Sequence, residues 1–207
     1  MDRVQIKICG VTTIEDAKRC ADLGVDMIGL NFYRQSPRYL EPDKARKIIE
    51  ALPRRICSVG VLVDATAEQV RMTANEAGIE TVQLHGNATP EMCRELAGEY
   101  RVIRAFSTSR HFQPENAAAF PDCDSLLDSY DPSLRGGTGI TCDWPAARAT
   151  RAFTRYLILS GGLNAENVGN AIAVVRPQAV DVCSGVESAP GVKNHNAIKE
   201  FIAAVRD

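Results

Sequence analysis

Arg3-Val4-Gln5-Ile6-Lys7-Ile8-Cys9-Gly10 reads as a strand that ends on a thiol and breaks at a glycine. Along an extended segment Gln5, Lys7 and Cys9 fall on one face and Val4, Ile6 and Ile8 on the other. Polar residues opposite branched apolar ones mark a strand with an unusual interior. Gly10 is followed by Thr12 and Thr13, either of which suits a helix N-cap, so the stretch has the form of a β-to-α loop. If such units repeat, Cys9 stands at the strand end where α/β proteins place their chemistry. Taken alone, Cys9 reads as packing, because a free cysteine behaves as a small apolar side chain.

The unit does repeat. Apolar or small residues at helical spacing run from Ile14 to Leu23 and stop at Gly24, and a second strand is expected over Asp26 to Phe32. After the loop Tyr33 to Leu40, Pro42 opens a helix in its favoured first-turn position. The β-branched run Ile56 to Val63 suits a parallel strand covered on both faces. A helix from Ala67 to Ala77, the strand Thr81 to Gly86, a helix from Pro90 to Leu96 capped by Thr89, and the strand Arg101 to Phe106 follow. Gln113 to Phe120 is a poor helix, expected to be short or irregular. Ser125 to Asp128 is a compact strand, Trp144 to Thr150 a weakly signalled helix, and Tyr156 to Ser160 a strand breaking at Gly161-Gly162. Asn164 is expected to cap a helix reaching Val175, Ala179 to Cys183 forms the last strand, and a helix from about Asn194 to Val205 closes the chain.

Eight strand-plus-helix units of roughly 25 residues predict one compact (β/α)8 TIM barrel domain spanning residues 1–207. A doubly wound open sheet is the competing architecture, but no GxGxxG follows a strand and no acidic residue stands at ribose spacing. A net charge of −2 leaves no basic footprint for nucleic acid, so a small-molecule ligand is expected. Seven scattered cysteines without metal spacing favour reduced thiols over disulfides or zinc. With neither a signal-like N-terminus nor a membrane-length apolar run, a soluble cytoplasmic protein is expected.

In such a barrel the strand C-termini share one mouth, where Cys9, Asn31, His85, Asp128 and Asp181 would converge. Read singly, His85 is a loop or packing residue and Asp128 a turn or capping carboxylate. Gly161-Gly162 and Ser184-Gly185 follow consecutive strands, where barrels often build a phosphate site from backbone N–H groups. A phosphorylated metabolite is the natural inference.

These residues fall in strings whose ordered set closely resembles the phosphoribosylanthranilate isomerase family. The strings are Lys-Ile-Cys-Gly at 7 to 10, Phe32 through Ser36-Pro37-Arg38, Gln83-Leu84-His85-Gly86, and Leu127-Asp128 with Gly136-Gly137-Thr138-Gly139 and Asp143-Trp144. They continue through Leu159-Ser160-Gly161-Gly162-Leu163 and Asp181-Val182-Cys183-Ser184-Gly185-Val186-Glu187. The resemblance implies a barrel of tryptophan biosynthesis, working without metal or organic cofactor, as a monomer or homodimer. The reaction it implies is an Amadori rearrangement of N-(5-phosphoribosyl)anthranilate to 1-(2-carboxyphenylamino)-1-deoxyribulose 5-phosphate. It further implies Asp128 as general acid, Cys9 as general base, Arg38 on the anthranilate carboxylate, and phosphate on Gly161, Gly162, Ser184 and Gly185. Asp181 and His85 would face the substrate, and Lys7, two residues before Cys9 on one face, would favour its thiolate.

The chain departs from the usual family strings at Asp64, Cys142, Cys183 and the run Val192-Lys193-Asn194-His195. Two other readings compete. An aldolase-type barrel would need a Schiff-base lysine, for which Lys7 is the strand-borne candidate, and a non-catalytic barrel would bind a phosphate ester without turnover.

Overall fold

The computed structural model describes residues 3–108, 112–129 and 142–207. Eight parallel strands hydrogen-bond in sequence order, β1 (Gln5–Cys9), β2 (Met27–Asn31), β3 (Cys57–Val63), β4 (Thr81–His85), β5 (Arg101–Ser107), β6 (Asp124–Asp128), β7 (Leu157–Leu159) and β8 (Ala179–Val182). The sheet closes where β8 returns to β1, with Lys7 opposite Asp181 and Ile8 opposite Val182. This is the expected barrel, and closure removes the open edges a flat sheet would present.

Helices α1 (Ile14–Asp22), α2 (Pro42–Glu50), α3 (Ala67–Ala77), α4 (Pro90–Ala97), α5 (Trp144–Thr150) and α6 (Val168–Val175) connect the strands, and α7 (His195–Arg206) follows the last of them. Among the described residues, the link between β5 and β6 carries only a 3-10 segment, Pro114–Ala119, as the weak pattern there suggested. Local chemistry sets the helix ends. Thr13 accepts from the Asp16 N–H, Thr89 from that of Met92, and Thr66 forms a reciprocal capping box with Gln69. Asn164 is not the cap of α6: its side chain accepts from the N–H groups of Glu166 and Asn167, holding a turn, and the helix starts at Val168. A short antiparallel pair after β8, β9 (Glu187–Ala189) and β10 (Val192–Lys193), was not foreseen; Gly191, at φ +83°, sits in the turn between them.

Two cores result. The larger lies between strands and helices and includes Ile6, Ile8, Leu30, Val82, Leu127 and Phe201. The smaller fills the barrel interior with Met27, Val59, Ile103, Leu126, Ile158 and Ala179. Strand alternation continues that inner row upward as a polar layer, where Lys7, Gln83 and Asp181 are buried. The mouth is built on this layer.

Candidate active site

β1 sends Lys7 and then Cys9 inward. Lys7 is fully buried, and its Nζ donates to Asp181 Oδ1 at 2.9 Å across the β1–β8 closure. Burial opposes its charge, but the Asp181 carboxylate and the Cys9 sulfur outweigh it and hold its pKa above the ordinary lysine range. Ser160 Oγ lies 3.3 Å from the other Asp181 oxygen, so one carboxylate ties the ends of β1, β7 and β8.

Cys9 stands above this pair. A Cβ on its register partner Gly29 would fall 2.7 Å from the Cys9 Sγ, so the glycine makes room for the thiol. Its pKa is lowered to about 7: the facing Cys183 thiol contributes most, burial opposes, and the Lys7 ammonium adds to the lowering. The sequence credited Lys7 with this effect; Cys183 contributes more.

Asp128 ends β6 and accepts the Ser129 N–H at 2.8 Å. Its pKa is raised to about 6, by burial first and then by the Asp181 charge, against the Ser129 hydrogen bond and Lys7. The Lys7–Asp181 pair therefore acts electrostatically on both Cys9 and Asp128.

Gly161 and Gly162 follow β7 with φ of +87° and +63°. A Cβ on Gly161 would collide with the backbone of Ser129, and one on Gly185 with the Leu163 carbonyl. The loops after β6, β7 and β8 thus pack backbone against backbone, which only glycine allows at these two positions. Asn167 Nδ2 donates to the Gly162 carbonyl at 2.8 Å, and Ser184 opens a 3-10 turn, Ser184–Val186.

Arg38 reaches the same region over Gly10, where a Cβ would lie 2.5 Å from Arg38 Cδ and 3.1 Å from Cys183 Sγ. Its guanidinium is already bound: Nε donates to Glu187 Oε1 at 2.9 Å and Nη2 to Oε2 at 2.6 Å. Glu187 also accepts from Lys193 Nζ at 2.7 Å, and the Lys193 side chain is fully buried. Neither Glu187 nor Lys193 was assigned a role from sequence. A turn glycine between an acid and a base six residues apart was the available signal.

The remaining expectations divide. His85 ends β4 and its Nε2 lies 2.7 Å from Gln83 Nε2. Asn31 ends β2 with its amide engaged locally: Oδ1 accepts from the Tyr33 N–H and Nδ2 donates to Ser36 Oγ, shaping the loop that carries Arg38. Asp64, at φ +52°, accepts from the Asn87 N–H beside Gly86. Cys142 is buried near Thr108 and its pKa is pushed up to about 12 by burial. The Gly136-Gly137-Thr138-Gly139 string lies outside the described residues.

A family model described as N-(5'-phosphoribosyl)anthranilate isomerase matches residues 6–204. The chain belongs to the phosphoribosylanthranilate isomerase family. The isomerase of Thermotoga maritima is 45% identical over 199 residues, covering 96% of this chain and 97% of that protein. A crystal structure of phosphoribosylanthranilate isomerase from the same organism superposes with a TM-score of 0.92 at 43% identity, covering 98% of both chains. A phosphoribosylanthranilate isomerase solved with reduced 1-(o-carboxyphenylamino)-1-deoxyribulose 5-phosphate has a TM-score of 0.88 at 41% identity, also covering 98% of both. In this phosphoribosylanthranilate isomerase family member, no helix among the described residues is long and apolar enough to cross a membrane. Among the same residues no group of three or more His, Cys, Asp or Glu could hold a metal ion.

Proposed function

We propose that this chain, as a single barrel domain, isomerises N-(5-phosphoribosyl)anthranilate to 1-(2-carboxyphenylamino)-1-deoxyribulose 5-phosphate, with Asp128 as general acid and Cys9 as general base. One observation carries the assignment. At two strand ends facing one mouth, a carboxyl is raised to about 6 and a thiol lowered to about 7, the directions that an acid and a base working near neutral pH require.

Asp128 protonates the furanose oxygen while the anthranilate nitrogen lone pair opens the ring to an iminium. The Cys9 thiolate then removes the C2′ proton, and the resulting enolamine tautomerises to the ketone. The substrate supplies its own electron sink. Its phosphate rests on Gly161, Gly162, Ser184 and Gly185, and its aromatic carboxylate on Arg38, which must then share its guanidinium with Glu187. Asp181 and His85 border the reacting part, with Lys7 holding Asp181. We read the protein as a cytoplasmic enzyme of tryptophan biosynthesis, acting on a small phosphorylated substrate as a monomer or homodimer.

The test is to supply freshly made phosphoribosylanthranilate and follow the loss of its fluorescence. Cys9→Ser and Asp128→Asn should each reduce turnover by about 10²-fold or more, the usual scale for a lost acid or base. Substrate binding without turnover by the parent protein would favour the non-catalytic barrel, and near-normal turnover by either variant would remove that residue's role.

A further inference from the structure

Cys183 is the first residue past β8, and the β1–β8 register, Lys7 to Asp181 and Ile8 to Val182, brings it beside Cys9. Neighbouring strands lie about 4.8 Å apart, within the Cα separation of about 4.4–6.8 Å that a disulfide spans. Alternation places Cys183 on the same side of the sheet as Asp181, as it places Cys9 with Lys7. Both cysteines are free and partly exposed at the mouth; Cys57, also partly exposed, starts β3 at the opposite end of the barrel, and Cys20, Cys93, Cys123 and Cys142 are buried. The Lys193 ammonium lies 4.0 Å from Cys183 Sγ.

We propose that Cys9 and Cys183 form an oxidisable pair: a peroxide joins them in a disulfide that disables the mouth, and a dithiol reductant reopens it. The Cys9 thiolate attacks a peroxide oxygen. An S–O bond forms, the O–O bond breaks, and hydroxide leaves. The Cys183 sulfur then attacks the Cys9 sulfenic acid, forming the S–S bond and releasing a second hydroxide. The two hydroxides take up the two thiol protons, so two thiols are oxidised while one hydrogen peroxide is reduced to two waters.

Cys9 is the attacking member because its thiol is the more acidic of the two: Cys183 is raised well above the ordinary range by the facing Cys9 sulfur and by burial. Lys193 beside Cys183 favours its thiolate in the second step. The disulfide itself follows from register and exposure alone. Its effect on turnover rests on the reading of Cys9 as general base.

The experiment treats the reduced, full-length protein with hydrogen peroxide, alkylates the remaining thiols, and maps peptides by mass while turnover is measured in parallel. A Cys9–Cys183 linked peptide is expected, with turnover lost in proportion to the linked fraction and both changes reversed by dithiothreitol. In Cys183→Ser the same treatment should carry Cys9 to the sulfinic acid, and turnover should stay lost after dithiothreitol. Cys9 oxidised to sulfinic acid in the parent chain with Cys183 still alkylated overturns the pairing, as does linkage of Cys93 to Cys123 with Cys9 and Cys183 both free. A linked protein that turns over normally instead overturns the switch and the role of Cys9 as base, without touching the pairing.

Discussion

Lys7 Nζ sits 2.9 Å from Asp181 Oδ1 inside the barrel, with neither side chain more than 5% exposed. Such a pair closes the sheet between β1 and β8 and places a positive charge under Cys9. Removing one partner leaves the other charge buried without compensation, which typically costs about 3–5 kcal/mol. Lys7→Met should therefore lower the unfolding free energy by about that amount, and by much less when combined with Asp181→Leu. Denaturant unfolding of the single and double variants makes the comparison, and equal losses in both would deny the pairing its structural weight.

The proposed acid and base have their protonation preferences inverted. With Asp128 near 6 and Cys9 near 7, the productive form, Asp128 protonated and Cys9 ionised, is about a tenth as abundant as its mirror form between those values. Activity should rise as pH increases toward about 6, peak near about 6.5, and fall above about 7. Cys183→Ala removes the largest contribution to the lowered Cys9 value, so Cys9 should titrate higher. Each unit of that rise moves the alkaline limb up by one unit and lowers the plateau about tenfold. The profile of kcat/KM against pH for both proteins reads this directly, and an alkaline limb unmoved by the substitution would sever Cys183 from the base.

Gly161 should tolerate no side chain. Its φ of +87° is unfavourable for an L-residue by roughly 1–2 kcal/mol, and a Cβ there meets the Ser129 backbone next to Asp128. Gly161→Ala is expected to raise KM and to lower kcat as well, because the loops after β6 and β7 must separate. Unchanged kinetics would show that the phosphate is bound elsewhere.

The barrel was legible because its signals are local and repeated: polar strand ends, turn glycines and threonine caps recur along the chain, and eight of them leave few alternatives. The strand-end positions of Cys9 and Asp128 were legible in the chain, and their proposed roles came from the strings around them. What escaped depends on closure. No pattern in the chain states that Cys183 lies beside Cys9, because only the β8-to-β1 register brings residues 174 positions apart together. The clamp of Arg38 by Glu187, which Lys193 also binds, escaped for the same reason, since it needs the hairpin after β8 to fold back onto the loops after β1 and β2. Asn164 misled because its side chain accepts two N–H groups, as a cap does, but in a turn ahead of the helix.

That clamp yields the last prediction. Glu187 holds Arg38 through both carboxylate oxygens and neutralises the buried Lys193. Burial opposes its charge, but these two cations outweigh it and hold its pKa below the usual glutamate range. The stabilisation is thus present above the ordinary glutamate value and is lost as pH falls through the lowered one. Glu187→Gln should flatten that acid loss of stability, since the variant has no carboxylate to protonate. It should also raise KM more than it lowers kcat, because Arg38 loses its orientation while Cys9 and Asp128 keep theirs. Arg38→Lys should raise KM in the same way, as an ammonium cannot bind two carboxylates in fork geometry. Denaturant midpoints across the acid range, together with the separate values of KM and kcat, decide the matter. A change confined to kcat would move Arg38 from substrate anchoring to the chemical step.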